Sequence, residues 1–469
     1  MVLSTLMSAA SVPWSSLVCG TLGFVLLWQA SRLVDLLWWQ PRRLERALRA
    51  QGLRGTSYRF VIGDMMDYRR RRKEAQSRSM PLRCHSIAPL VAPLLCDIVR
   101  EHGKTCMSWY AMYPKVTIHD PDLAKEVLSN KFGHFEKVKF PPLSRLLAAG
   151  LAEHEGEKWV KHRRILNPAF HLEKLKNLQL MLPALSTSCE ELVNRWTRSL
   201  GSDGTYELDV FPEFQRLTGD VISRTAFGSN YLEGARVFQL QSEQVERIAG
   251  AWKIGIPGYL SLPTKNNRKM HQNNSEIESI LHGLIGKRMQ AMQEGENTKE
   301  DLLGLMLESN MRTSDDNGQS ISGMTIKEVT LILYEVLRLY SPAVAFFRKT
   351  YKEMKIGGIT YPAGVLIELP LLLMNHDPDI WGRDVHEFKP ERFTNGISQA
   401  SKNPGAFLPF SWGPRICIAQ QFALLEAKIA FCTILQCFEF ELAPSYTHAV
   451  NNTRLMRPMH GAQIKLRAI

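Results

Sequence analysis

Phe410-Ser-Trp-Gly-Pro-Arg-Ile-Cys-Ile-Ala419 decides how the rest of this chain is read, because it stages a single cysteine for metal chemistry. Gly413 and Pro414 turn the backbone ahead of Cys417, and Gln420 to Lys428 follows at once with strong helix formers. Cys417 is therefore expected at or just before a helix N-terminus, where free N–H groups and the helix dipole favour a thiolate. Most intracellular cysteines are small buried apolar residues with no chemical task. Cys417 differs in its company: Phe410 lies seven residues before it, Gly413 four and Arg415 two.

Two further constellations carry information. Trp159 and Arg163 are four apart, so they share a face of the helix expected over 157–164, with Pro168 limiting its continuation. Such a pair is ordinarily packing and surface. The spacing also predicts a helix over Met324–Tyr340, stopped by Ser341-Pro342 and apolar almost all round, hence buried. Glu335 and Arg338 sit three apart within it, and charges in a buried helix are costly unless they belong to a satisfied network.

The 469 residues, 45% of them hydrophobic, can bury a large core, and no repeat or long low-complexity linker divides them. The eight cysteines show no Cys-x-x-Cys and no dense framework, which speaks for a reducing compartment and against structural zinc. Met1 to Ser31 carries no charge, and Val12 to Ala30 is apolar for about the length of a bilayer span. Arg32, Arg42, Arg43, Arg46, Arg49 and Arg54 follow, with Trp38 and Trp39 among them. A retained anchor is expected over 1–31, N-terminus towards the lumen and the remainder cytosolic. A cleaved signal peptide lacks support, since there is no basic n-region. The net charge is +12, and Arg69 to Lys73 is a run of five basic residues. So close behind an anchor, such a run suits lipid headgroups or solvent rather than nucleic acid. Residues 32–80 are read as a basic juxtamembrane linker.

Along the chain, Val116–His119 reads as a strand and Pro121–Leu128 as a helix opened by its proline. Amphipathic helices are expected over 172–197, 210–227, 238–252 and 266–293, with a loop over 254–263 and a polar stretch over 314–323. Met354–Leu369 alternates around glycine pairs and reads as short strands joined by tight turns. The fold class expected is mainly α with small β-sheets.

The Cys417 loop resembles the haem-ligand signature of the cytochrome P-450 family, Phe-x-x-Gly-x-Arg-x-Cys-x-Gly, departing from it only at Ala419. Trp159/Arg163 matches the family's Trp-x-x-x-Arg helix, Glu335/Arg338 its Glu-x-x-Arg motif, and Phe388–Phe393 the later loop that supplies Arg392. Phrases such as Gly156-Glu-Lys-Trp-Val-Lys-His-Arg-Arg-Ile-Leu-Asn-Pro-Ala-Phe170 are similar to the plant clan that includes secologanin synthase, whose members oxidise terpenoid and other hydrophobic metabolites.

The resemblance implies a haem-thiolate monooxygenase over 81–469, anchored in the endoplasmic reticulum membrane by a single pass. It implies haem b, with Cys417 as axial iron ligand pushing electron density across the metal. Trp159, Arg163 and Arg415 would bond haem propionates, and Phe410 would shelter the sulfur. Ala419 would strain the site slightly, and Glu335, Arg338 and Arg392 would form a structural triad without direct chemistry. Val344–Phe347 would point toward the substrate. Electrons would come from NADPH through a flavoprotein reductase docking on the basic face that includes Arg163 and Arg164.

One expected element is missing. The family carries a distal helix whose acid and alcohol guide protons to the oxygen being activated. Gly323–Val329 resembles the start of that helix and then runs straight into Leu331-Ile-Leu-Tyr-Glu335, with no glycine between Gly323 and Gly357 to hold the motif. Thr218-Gly219-Asp220 with Thr225 has the wrong order and place. The distal segment is read as deleted, no catalytic acid is assigned, and the alternative is a defective, non-enzymatic relic of the family.

Overall fold

The computed structural model describes residues 14–129, 135–138, 150–170, 175–227, 231–250, 259–293, 326–452 and 455–469. The polar stretch 314–323, the start of the expected distal helix before Ile326, and the first half of the 254–263 loop lie outside these residues.

The described chain is mainly helical with small sheets, as its residue pattern implies. The largest sheet has six strands in the order Arg54–Gly55, Thr105–Tyr110, Tyr113–Ile118, Leu366–Leu369, Phe346–Thr350 and Phe135–Glu136. Its centre is buried because Val116, Ile118, Ile367 and Leu369 point into the main core with Met107 and Trp109. Asp120 ends one strand and caps the helix Pro121–Ser129 by accepting the N–H groups of Asp122 and Leu123 at 3.0 and 2.9 Å. The expected short strands are Met354–Ile356, Ile359–Tyr361 and Leu366–Leu369. A second sheet joins Phe438–Leu442, Gln463–Ala468 and Thr205–Asp209. It packs beside the helices Leu175–Arg198 and Val210–Phe227.

Two readings change. The stretch 32–80, read as a linker, is built into the fold. An unbroken helical run from Trp14 reaches Arg49 through a π-helical turn at Asp35–Trp39. Leu48 is fully buried, and Arg54–Gly55 pairs in parallel with Cys106–Met107. Basic composition hid this, since the few apolar residues that dock, Leu48, Leu53 and Tyr58, are scattered. The Leu17–Arg49 run is long and apolar enough to cross a membrane. The helix Gly156–Phe170 runs through Pro168 for two residues, so the proline removes one hydrogen bond near an end where little is lost.

The helix Ile326–Leu339 is not buried all round. Leu331, Tyr334 and Leu337 pack on the main core, whereas Val336 is 39% exposed and Ile332 and Leu333 beside it are half-buried. The described residues cover that apolar flank only in part. The neighbouring helix Gln420–Cys437 instead carries a buried acid. Glu426 Oε1 is out of contact with solvent and has no hydrogen-bond partner among the described residues, and burial pushes this carboxyl up to about 7. In the unfolded chain Glu426 ionises near its ordinary value, so between about pH 4.5 and 7 unfolding releases a proton and stability falls as pH rises. Glu426→Gln is expected to flatten that decline and to raise the melting temperature at pH 8 relative to wild type, measured by thermal denaturation from pH 4.5 to 8.

Candidate active site around Cys417

The Cys417 loop is a tight, locally determined structure. Gly413 adopts φ +68°, and a Cβ there would stand 2.6 Å from the Leu128 carbonyl oxygen, so the turn against the helix Pro121–Ser129 requires glycine. Ser411 also takes a left-handed conformation, φ +70°. The Cys417 N–H donates to the Phe410 carbonyl at 2.9 Å and the Ile416 N–H to Gly413 at 3.0 Å, which closes the loop on itself. Cys417 is exposed and stands three residues ahead of the helix Gln420–Cys437, as the turn and helix formers predicted. Phe410 is half-buried. Ala419, expected to introduce strain, has φ −95° and ψ 17° and packs partly on the core, so its methyl group meets no forbidden backbone conformation.

The helix Gly156–Phe170 lies against this loop through two side chains. Arg163 Nη1 donates to the Ile416 carbonyl at 2.9 Å, next to the cysteine. Trp159 is 6% exposed, and the Arg415 guanidinium stacks 4.1 Å from its ring centroid. Arg415 Nη1 donates to the His154 carbonyl at 2.8 Å while Nη2 pairs with Glu155. Trp159, Arg163, Phe410, Arg415 and Cys417 are thus brought together.

Two cations that sequence reasoning passed over join them. Arg348, on the strand Phe346–Thr350, is 7% exposed, and burial pushes it down to about 10, with Arg415 adding to the fall and Glu155 opposing it. Lys137 is pushed down to about 8 by burial, and Arg348 and Arg415 add to this. Burial also lowers Arg163 and Arg415. Each of these shifts reports a charge held where it is poorly solvated. A lone Lys after a two-residue strand and a lone Arg in a strand give no periodic signal, so only the fold reveals their convergence.

Of the three residues that the resemblance groups as a triad, Glu335 and Arg338 form a close pair and Arg392 lies beside it. Glu335 and Arg338 are fully buried and bond twice, Nε to Oε2 at 2.8 Å and Nη2 to Oε1 at 2.7 Å. Arg338 Nη1 also donates to the carbonyls of Asn375 and Val385 at 2.9 and 2.8 Å. Arg392 Nε lies 3.7 Å from Glu335 Oε1, too far for a hydrogen bond, and its Nη1 instead reaches Asp384 Oδ1 and the Trp381 carbonyl, both at 3.1 Å. Lys389 and Arg392 together hold the Asp384 carboxyl at about 2, well below the ordinary carboxylate range. Of Val344–Phe347, Phe347 is 42% exposed, while Val344 and Phe346 pack on the two cores.

The donor set fits the cofactor that the motifs imply. Haem carries two propionates, and the four cations Lys137, Arg163, Arg348 and Arg415 are accompanied by two acids, Glu155 beside Arg415 and Arg348, and Glu153 with it near Lys137, so the cluster has cationic capacity to spare beside an accessible sulfur.

The family model for cytochrome P-450 matches residues 94–334 and 329–466. Cytochrome P-450 CYP72A616 of Paris polyphylla is 45% identical over 500 aligned positions, covering 94% of this chain and 96% of the relative. The 11-oxo-beta-amyrin 30-oxidase of Glycyrrhiza uralensis is 40% identical over 525 positions, covering 98% and 99%. The solved structure of retinoic acid-bound cyanobacterial CYP120A1 superimposes with a TM-score of 0.62 over 79% of this chain and 93% of that one; at 22% identity it speaks for the fold. The chain belongs to the cytochrome P-450 family, monooxygenases that use haem iron and electrons passed from NADPH by a reductase.

Proposed function

We propose that this chain is an anchored haem-thiolate monooxygenase for hydrophobic, terpenoid-like substrates, and that loss of its distal segment leaves it poorly coupled. The observation that carries the first half is the exposed Cys417, held between Arg163 and the Arg415–Trp159 stack inside a cation-rich cluster. Cys417 would ligate the iron, and Trp159, Arg163 and Arg415, joined by Lys137 and Arg348, would hold the propionates. When bound, the haem supplies the iron at which dioxygen is activated for insertion of one oxygen atom. The chain's own part would be to present the sulfur from a loop closed by the Cys417 N–H bond to the Phe410 carbonyl, with the Phe410 side chain sheltering the sulfur once haem is bound. Glu335, Arg338 and Arg392 hold the chain leading to the cysteine loop. A substrate of terpenoid type is supported by the relative named as an oxidase of 11-oxo-beta-amyrin. The apolar run before Arg32 supports membrane attachment over 1–31, in the endoplasmic reticulum, with 81–469 on the cytosolic side where a flavoprotein reductase can dock.

The second half rests on several observations that point the same way. The family model matches in two pieces that meet at 329–334, the join identified from the sequence. Of the 500 positions aligned with CYP72A616, 94% of 469 residues fills about 441, leaving roughly 59 without a residue here. The flank of Ile332, Leu333 and Val336 is only partly covered by the described residues and lies on the helix that a missing neighbour would adjoin. Without a distal acid and alcohol, proton delivery is left to water, which favours release of reduced oxygen over attack on substrate. The extreme of this reading is a relic with no turnover.

The first test is the carbon monoxide difference spectrum of the reduced, membrane-expressed chain. A strongly red-shifted Soret band that disappears in Cys417→Ser is the expected result; absence of haem, or a band unchanged by the substitution, sinks the haem-thiolate reading. Coupling is checked separately by measuring NADPH consumed, hydrogen peroxide formed and product formed with a reductase. Most of the NADPH should appear as peroxide, and tight coupling to product would refute the distal loss.

A further inference from the structure

Glu155 is not among the haem-holding residues that the motifs name, yet both of its carboxylate oxygens are engaged. Oε1 accepts the Lys137 backbone N–H at 3.0 Å, and Oε2 pairs with Arg415 Nη2. The adjoining chain repeats both attachments, since the His154 carbonyl accepts from Arg415 Nη1 at 2.8 Å and the Ala152 carbonyl from Lys137 Nζ at 2.6 Å. Residues 152–155 thus grip the cysteine loop on one side and, on the other, the chain leaving the strand Phe135–Glu136. That strand pairs with Lys349 and Thr350, which sets Arg348 in the same place.

Three cations from three remote segments, Lys137, Arg348 and Arg415, therefore gather around Glu155, which is itself only 16% exposed: Arg415 pairs with it directly, while Arg348 and Lys137 feel its charge, the latter together with that of Glu153. Gathering like charges in a partly dry site costs Coulomb energy that a central acid offsets. Glu155 does this without exhausting the donors. Arg415 has five N–H groups, and its bonds to His154 and Glu155 engage two of them. The side-chain bond of Arg348 goes to the neighbouring Phe347 carbonyl at 2.9 Å.

We infer that Glu155 is a positioning residue for the cofactor, assembling the cations that hold the haem carboxylates; this rests on the family reading above. Glu155→Gln keeps an acceptor for the Lys137 N–H but removes the charge that draws Arg415 and its neighbours together. The test titrates haem-free chain with hemin and with hemin dimethyl ester, whose carboxylates are blocked, and records the carbon monoxide difference spectrum and the melting curve of the haem-free chain. For E155Q the hemin dissociation constant is expected to rise about tenfold, the weight of roughly one charge-assisted hydrogen bond, with the ester's constant unchanged. E155D, which keeps the charge on a shorter arm, should recover part of the hemin affinity, and it replaces E155Q in the comparison if E155Q melts before titration. Equal weakening of both haems would reduce Glu155 to a fold-stabilising residue, and wild-type or tighter hemin binding by E155Q would also overturn the inference. A wild-type chain that takes neither haem with a red-shifted carbon monoxide band overturns the proposed haem-thiolate function, and the inference with it.

Discussion

A carboxylate and a guanidinium with no exposure to water, Glu335 and Arg338, set the frame of this molecule. Buried charges of this kind are tolerable only when every remaining donor and acceptor is met. Here the demand falls on the chain between the sheet and the cysteine loop. Arg338 takes the carbonyls of Asn375, Val385 and Glu387, and Glu335 takes the Lys389 N–H at 3.0 Å. A segment with little regular secondary structure is thereby fixed by polar bonds rather than by ladders. Arg392 and Trp381 complete the frame, with Arg338 lying 5.2 Å from the Trp381 ring centroid.

From that frame the site follows by short steps. Phe393 and Phe407 pack at a tilt with ring centroids 5.0 Å apart and tie the end of the framed segment to the chain entering the cysteine loop. Gly413 lets that loop press on the helix Pro121–Ser129. The helix Gly156–Phe170 then closes over it through Trp159 and Arg163. Each contact joins segments far apart in sequence, so the sulfur's position depends on tertiary structure more than on its own loop.

Legibility in the sequence tracked how much chemistry a residue carries locally. The cysteine loop announced itself because Gly, Pro, Arg and Cys each do something different at fixed offsets, and Glu335/Arg338 because charge inside an apolar helix is improbable. The strands after Met354 were readable from their glycines, since Gly357, Gly358 and Gly364 all take positive φ. By contrast, Lys137, Glu155 and Arg348 acquire meaning only by meeting one another. The helix Ile326–Leu339 misled because composition records how apolar a face is and says nothing of whether a neighbour covers it. The basic stretch after residue 32 misled for the opposite reason: its arginines are conspicuous, and the Leu48 and Tyr58 that seat it are not.

That seating has a mechanical corollary. The Tyr58 hydroxyl donates to the Leu37 carbonyl at 2.6 Å, inside the π-helical turn, and Arg49 Nη2 donates to the carbonyls of Gly55 and Thr56 at 3.2 and 3.0 Å. Between the apolar run and the first strand there is accordingly no swivel. If the helix were inserted in a bilayer, its tilt would be imposed on the six-stranded sheet, and the angle at which the body met the membrane surface would then follow from the handshake between residues 37 and 58.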